Sequence, residues 1–562
     1  MHHSIKTLSM YASRRIGLRA LRAATALMIC CVYVFNISSS GQRLEPTSEG
    51  KAIGPSKQAA GYDALFDAIR STHQVGDQSL EMSGPDALGE SATLLAADGT
   101  ADDRLGFSVA ISGDTAIVGA FGDDIGTNVD QGSAYIFVRN GTTWTQQAQL
   151  TAADGAGSDF FGISVAISGD TAVVGADSDD VAGSFNQGSA YVFVRNGTTW
   201  TQQAQLNMPA GAANDFFGGN VAISGDTAVV GADSDDVGAN RDQGSAFVFV
   251  RTGTTWALQS QLNAVGGAAD DQFGSSVAIS GDSVIVGAFA DDVGTNGQQG
   301  SAYVFLRSGT TWTQQAQLNA GDGFANDFFG IAVAIDGETA VVGADGDDVG
   351  TNVDQGSAYV FLRSGTAWTQ QARLNGADGS ANDFFGSAVA ISGDRAVVGA
   401  DGDDVGSVVD QGSAYAFLRT GSTWAQQAQL VATGGASGDG FGSDVTISGV
   451  TAIVGAFGDD VAGNVDQGSA AVFVIPTAAN VSLSGRVTTP DDRPLRNAVV
   501  SITDEQGNTR TTLTTSFGFY SFANVATGAR YTIRVAAKRY RFTALVLQVN
   551  GELTDINFVA VE

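Results

Sequence analysis

The sequence predicts an all-β chain: a seven-bladed β-propeller closed by an N-terminal strand, followed by a small β-sandwich. Three observations lead there. All six tryptophans, Trp144, Trp200, Trp256, Trp312, Trp368 and Trp424, recur every 56 residues. The same period links Gly106, Gly162, Gly218, Gly274, Gly330, Gly386 and Gly442, so seven copies run without insertion or deletion. Repetition at such a period marks a repeat architecture. The array also has complementary ends. Its seventh copy stops after a third strand at 472–474, while Glu90, Ala92 and Leu94 match Gln146, Ala148 and Leu150 in the first copy's fourth strand. A spare strand at one end and a missing one at the other suit a closed ring and have no use in an open solenoid.

Composition narrows the function before any motif is read. The 562 residues carry a formal charge of −31, with 43% hydrophobic residues, 74 Gly, 7 Pro, 2 Cys and 3 His. That apolar content suffices for folded modules. The acidity counts against a nucleic-acid partner, because phosphate binding needs clustered Lys and Arg. Cations, basic proteins and polar glycans suit it better. His2, His3 and His73 all precede the repeats, which argues against a His-based triad or a His-ligated zinc.

Residues 1–40 read as an export signal: Arg14, Arg15, Arg19 and Arg22 precede an apolar run over 23–37 that ends in Ser38, Ser39 and Ser40. The run falls short of the ~20 residues of a spanning helix, so no membrane span is expected in the mature chain. An uncleaved anchor is the alternative. Ser13-Arg14-Arg15-Ile16-Gly17-Leu18 resembles a twin-arginine export motif, with Gly17 where an aromatic is usual. Cys30 and Cys31 lie inside the run, so cleavage near Ser40 leaves no thiol. Residues 41–86 read as a polar linker with one short helical stretch at 62–69.

The propeller is assigned to 87–477, and each copy reads as four short strands, a to d, clearest in the second. Strand a, 163–167, alternates Ile163, Val165 and Ile167 with Ser164 and Ala166, the pattern of a half-buried strand. Strand b, 171–176, is a small apolar run fit for burial on both faces. Strand c, 190–194, is rich in aromatic and β-branched residues. Strand d sets Trp200, Ala204 and Leu206 on one face and Thr201, Gln203 and Gln205 on a polar outer one. Recurring Trp and Phe are read as blade packing, and Gln355-Gly356-Ser357 with its equivalents as the backbone geometry that starts strand c.

Phe161-Gly162 before strand a and Gly175-Ala176 at the end of strand b resemble the FG-GAP repeats of integrin α-chain propellers. The closest likeness is to bacterial secreted relatives, in which the third GAP residue is not Pro. Here it is Asp177, Asp233, Asp345 or Asp401 in four copies and Phe121, Phe289 or Phe457 in three. The WD40 alternative is weaker, because its period is ~40–45 and its Gly-His and Trp-Asp pairs are absent. The resemblance implies an extracellular recognition or adhesion scaffold, often calcium-loaded, and no particular ligand.

That family places calcium in an Asp-x-Asp-x-Asp-Gly loop between strands a and b. In this chain the a–b connection is a tight turn, as in Ser168-Gly169-Asp170, too short for the roughly six to eight oxygens that Ca²⁺ takes. The acid lies instead between b and c, where a pair recurs as Asp123-Asp124, Asp179-Asp180, Asp235-Asp236, Asp291-Asp292, Asp347-Asp348, Asp403-Asp404 and Asp459-Asp460. Strands in a blade alternate in direction, so the b–c and d–a loops share one face. The d–a loops add Asp103, Asp159, Asp215, Asp271, Asp327, Asp383 and Asp439. Arg139, Arg195, Arg251, Arg307, Arg363 and Arg419 end strand c on the opposite face, which predicts an electrostatically two-sided disc. Two readings of the acidic face stand open. In one, the Asp pairs and loop carbonyls bind Ca²⁺, foremost in the copies with Asp177, Asp233, Asp345 and Asp401. In the other, Asp and Gly supply turn geometry and the charge keeps an exported protein soluble.

From 481 to 562 the charges are 9 positive and 7 negative, a break from the acidic repeats that marks a separate domain. Strands are expected at 481–487, 498–503, 519–522 and 531–535, split by turns such as Pro490-Asp491-Asp492 and Gln506-Gly507-Asn508. Gly485-Arg486-Val487, Pro494-Leu495, Ala498-Val499-Val500 and Gly518-Phe519-Tyr520-Ser521-Phe522 resemble the carboxypeptidase regulatory-like domain, a transthyretin-like sandwich. Its family implies an accessory or stalk module and no peptidase activity. Lys538, Arg539 and Arg541 are read as an exposed strand end.

Together these features predict an exported, non-enzymatic, monomeric binding scaffold, secreted or held at the cell surface, whose partner is a protein or glycan there. The rival is a carboxylate-dependent glycan hydrolase or lyase. That rival needs one blade to differ, because catalysis requires an asymmetric pair of groups with separated pKa values, and the seven loops are nearly interchangeable. The third reading is a purely structural acidic protein adapted to high salt.

Overall fold

A computed structural model describes residues 88–475, 480–504, 509–526, 530–549, 553–554 and 556–561. The export signal at 1–40 and the linker at 41–86 lie outside the described residues. Among those described, no helix is long and apolar enough to cross a membrane.

The repeats form seven four-stranded antiparallel sheets, each in the order a-b-c-d. In blade 2 these strands are Ser164–Ser168, Thr171–Ala176, Ser189–Asn196 and Thr199–Leu206. Strand a of each blade packs on strand a of the next, blade 7 on blade 1 included, so the a strands surround the centre and the d strands form the rim. The seventh blade is completed as expected: Ala92–Leu94 runs antiparallel to Ser469–Val474, with Ala92 opposite Val472 and Leu94 opposite Ala470.

Core lies between blades rather than within them. Strand b is buried along its whole length in blade 2 because both its faces meet a neighbouring sheet. Ile136 and Leu150 of blade 1 pack with Phe161, Val174, Tyr191 and Trp200 of blade 2. On the other side of blade 2, Val173, Ala190, Val192 and Leu206 pack with Phe217, Val230 and Phe247 of blade 3. At the seam, Leu94, Ile453 and Val472 meet Leu105, Val118 and Phe137.

Strand d departs from the simple alternation expected of it. The register between strands c and d shifts between Val192 and Phe193, opposite Ala204 and Gln202, which leaves Gln203 as a bulge. An extra residue flips the sidedness of everything after it. Trp200 therefore faces blade 1 while Leu206, with Ala204 partly buried beside it, faces blade 3. The bulge lets one strand cover two different interfaces, and Trp200 and Leu206 do not share a face.

Three glycines per blade permit the close approach. A Cβ on Gly119 would lie 2.0 Å from the carbonyl oxygen of Gly162 in the next blade, and Gly455 stands likewise 1.9 Å from that of Gly106 across the seam. Gly162, at φ +97°, would meet the carbonyl of Ser133 at 2.2 Å. Gly132 of the Gln-Gly-Ser segment would meet that of Phe161 at 2.0 Å, and the Gln131 carbonyl accepts the Phe161 N–H. Gln-Gly-Ser is thus a blade-to-blade joint as well as the start of strand c.

Polar belts reinforce these contacts. At the a–b turns, the Ser112 hydroxyl accepts the Gly169 N–H, Ser168 that of Gly225, and Ser224 that of Gly281. Ser280, Asp336 and Ser392 continue the belt to Gly337, Gly393 and Gly449, and Ser448 closes it on Gly113. On the rim, Trp200 Nε1 donates to Gln147 of the preceding blade, as Trp256, Trp312, Trp368 and Trp424 do to Gln203, Gln259, Gln315 and Gln371. Bulged Gln203 is therefore a tie between blades.

The arginines of the opposite face are neutralised rather than displayed as a basic surface. Arg195 pairs with Asp170 of its own a–b turn, stacks over Trp200 and donates to Thr115 of blade 1. The same set recurs from Arg139 to Arg419, with Glu338 and Ser283 as the partners of Arg363. Blade 7 has Ile475 at this position, and Arg395 stands where the preceding blade would otherwise offer the Thr.

The C-terminal module has two sheets. Asn480–Thr488 lies between Phe519–Ala526 and Phe558–Val559 in one; Thr509–Leu513, Val499–Thr503, Arg530–Ala536 and Leu545–Gln548 follow in order in the other. Leu483, Val500, Phe522, Ile533 and Phe558 share its core. The turn at Gln506-Gly507-Asn508 lies outside the described residues.

The blade joint sets a sharp test. Gly169→Ala, at φ +59° with open space around it, should cost about 1–2 kcal/mol of backbone strain. Gly175→Ala places its Cβ 1.9 Å from the Gly218 carbonyl, so the blades must part, and thermal melts should show a far larger loss. Equal losses in the two variants would contradict the joint.

Candidate functional site

The b–c and d–a loops lie side by side on one face, joined by backbone bonds such as Gly122 N–H to the Asp103 carbonyl and Ser158 N–H to that of Val129. Strand direction puts them there, and the loop carboxylates divide into distinct roles.

In six blades the first Asp of the pair turns inward. Asp123 Oδ2 accepts from Ser133 Oγ at 2.5 Å, Tyr135 OH at 2.9 Å and Gln149 Nε2 at 3.0 Å. Asp179 takes Tyr191 OH and Gln205 Nε2, Asp291 takes Tyr303 OH and Gln317 Nε2, and Asp403 takes Ser413, Tyr415 and Gln429. In Asp235 the partners are Ser245 and Gln261, since Phe247 replaces the Tyr. Asp347 receives Tyr359 OH and an ion pair from Arg373, which stands where blades 1 to 4 and 6 have Gln. These phenols are raised well above their ordinary pKa by burial first and by the adjoining carboxylate next.

The second Asp closes its own loop and stays exposed. Asp124 Oδ1 accepts the Asp130 N–H at 2.9 Å, six residues on, and Asp180, Asp236, Asp292, Asp348, Asp404 and Asp460 repeat the bond. The d–a carboxylates are buried and turn back on their own loops: Asp159 Oδ2 takes the Ala156 N–H at 2.6 Å, and Asp103, Asp215, Asp271, Asp327, Asp383 and Asp439 do the same. Burial, then the neighbouring Asp pair against a favourable backbone bond, pushes Asp159, Asp215 and Asp271 up to about 6 and Asp327 and Asp383 up to about 7.

The extra acids of four copies do not gather with the pairs. Asp177 and Asp233 are buried, while Asp345 and Asp401 are half-buried. Asp177 accepts from Ser178 Oγ at 3.0 Å and is pushed up to about 7 by burial, with Asp233 adding repulsion. A Ca²⁺ cage needs roughly six to eight oxygens converging on one point. Here the loop carboxylates spend oxygens on donors of their own chain, and among the described residues no group of three His, Cys, Asp or Glu is placed to hold a metal ion. The residues in this arrangement do not fit the ion.

Sequence reasoning found the acidic face and its loops but missed the Ser133–Tyr135–Gln149 triad of donors. Its signal was there, since Ser, Tyr and Gln recur with the 56-residue period. Which carboxylate they would meet depended on the strand pairing.

A family model described as FG-GAP repeat matches residues 88–137, 144–193, 200–249, 256–305, 312–361, 368–417 and 424–473. A second, described as carboxypeptidase regulatory-like domain, matches 482–561. Comparison with curated proteins returned no match.

The buried carboxyls fix the sign of the pH dependence. They keep protons that an unfolded chain, with ordinary Asp near ~3.9, has already lost, so stability falls as pH rises from about 4 through 7. The melting temperature at low salt should rise by several degrees between about pH 8 and pH 5, and Asp177→Asn should raise it at pH 8 while changing little at pH 5. Calorimetry showing a flat or falling profile on acidification would contradict this.

Proposed function

The chain belongs to the FG-GAP repeat family, and from that premise we propose that it is an exported, non-enzymatic binding scaffold whose anionic loop face engages partners at a cell surface. One observation carries the reading. Each of the seven sectors presents an exposed Asp on a loop held by a backbone N–H donated to that Asp's own carboxylate. The face is therefore both charged and pre-organised, which limits the ordering cost of binding. Sevenfold repetition of modest sites favours avidity over one tight contact. The same repetition weighs against a glycan hydrolase or lyase, since most sectors repeat one carboxylate arrangement and the departure in blade 5 pairs Asp322 and Asp347 with Arg373. Binding in this reading runs through the protein's own carboxylates and requires no calcium.

The opposite face does not compete, because its arginines are engaged by the acids of the a–b turns. Localisation outside the cytoplasm is drawn from the Arg-led apolar segment at 1–40.

The test is titration with poly-lysine from about 50 to about 300 mM NaCl, using the protein and a variant with Asp124, Asp180, Asp236, Asp292, Asp348, Asp404 and Asp460 changed to Asn. Asn keeps the oxygen that closes each loop and removes the charge. Salt-sensitive binding that the Asn variant loses supports the proposal. Equal binding by both proteins, or release of reducing sugar from polysaccharides, overturns it.

A further inference from the structure

The acidic face also carries an apolar ring. At one position of the b–c loop, Val129, Phe185, Val353, Val409 and Val465 recur in five blades, and each is more than half exposed. In the other two blades that position holds Arg241 and Gly297. There the adjoining d–a loop supplies the missing group. Asp270 N–H bonds to the Arg241 carbonyl, and Val265 of the same loop is 76% exposed; Asn326 N–H bonds to the Gly297 carbonyl, and Phe324 beside it is 70% exposed. Every sector thus displays one large apolar side chain on this face. Single exposed apolar residues are ordinary, but one per sector on one face is a patterned surface.

We propose that this ring is the docking surface for a cationic amphipathic protein segment, one that alternates Lys or Arg with branched apolar residues. The proposal rests on the anionic-face reading and names the partner chemistry. Charge complementarity selects the occupant. An exposed Asp stands five residues before each b–c tip, as Asp124 does before Val129 and Asp348 before Val353. A cation is therefore favoured beside the apolar contacts, least so in blade 3, where Arg241 already pairs with Asp270. The same charge opposes an anionic lipid surface. A second copy of the chain fits poorly, since its loop face is equally anionic and its opposite face has its arginines paired. Sugar rings are bound by flat aromatic stacking, which the valines of five of the seven sectors do not provide. The loops are already braced, so apolar contact is gained without ordering them.

The experiment uses fluorescence anisotropy with two peptides of about 14 residues and equal positive charge, one alternating Leu with Lys and one alternating Ser with Lys, and a Leu-Glu control. It compares the protein with a variant carrying Val129→Ser, Phe185→Ser, Val265→Ser, Phe324→Ser, Val353→Ser, Val409→Ser and Val465→Ser, checked for an unchanged melting temperature. The smaller variant Val353→Ser with Val409→Ser reads the same effect in part. The Leu-Lys peptide should bind roughly tenfold tighter than Ser-Lys, and the serine variant should erase that difference while keeping the Ser-Lys affinity. Equal binding of the two cationic peptides overturns the ring and leaves the anionic face standing. Failure of both cationic peptides overturns the face as well. Binding of the Leu-Glu peptide, or a dimer in sedimentation that the serine variant loses, assigns the ring to another occupant and overturns the proposal.

Discussion

Where two blades meet, the carbonyl of one glycine lies against the Cα of another, and the rest of the propeller depends on that contact. Gly119 against Gly162 and Gly175 against Gly218 bring backbones to a distance that any side chain would forbid. The approach sets the spacing of the sheets, and the spacing lets Phe161 fill the interface tilted against Tyr191 and edge-on to Phe193. The Phe-Gly and Gly-Ala pairs of the repeat are thus two halves of one joint contributed by neighbouring blades. The joint at Gly455 and Gly106 repeats the glycine contact of the others, with Leu105 in the place of the Phe at the seam.

The acidic face follows from the same economy. Seven loops had to turn tightly without regular structure, and their aspartates supply the missing backbone acceptors: one carboxylate braces the b–c loop, another the d–a loop, and a third ties strand c to strand d. Much of the chain's negative charge is therefore structural in origin. The second Asp of each pair stays exposed on its braced loop, five residues before the b–c tip. The arginines, by contrast, are consumed in stacking on tryptophans and pairing with turn acids, so the disc shows one charged face and not two.

Most of the fold was legible in the sequence because a repeat of 56 residues repeats its physics as well. Period-2 runs gave the strands, and the spare segment at Ala92–Leu94 gave the closure. Strand d was not legible in detail. Trp-Thr-Gln-Gln-Ala-Gln-Leu reads as plain alternation, and only pairing with strand c shows that Gln203 is extra and that Trp200 and Leu206 face different blades. Likewise the partners of Gln147, Ser112 and Arg195 lie in adjoining blades, at sequence separations from 53 to 80 residues, where local pattern carries no information. The family resemblance pointed toward calcium; the loop geometry turned those carboxylates toward the chain's own donors.

A ring closed at seven equivalent joints protects its a–b turn glycines alike, which native-state hydrogen exchange reads residue by residue. The Gly113 amide, bonded across the seam to Ser448, should be protected to the same degree as Gly169 and Gly225, bonded to Ser112 and Ser168. Exchange at Gly113 orders of magnitude faster than at its equivalents would mean that the seam is open and the ring is not closed.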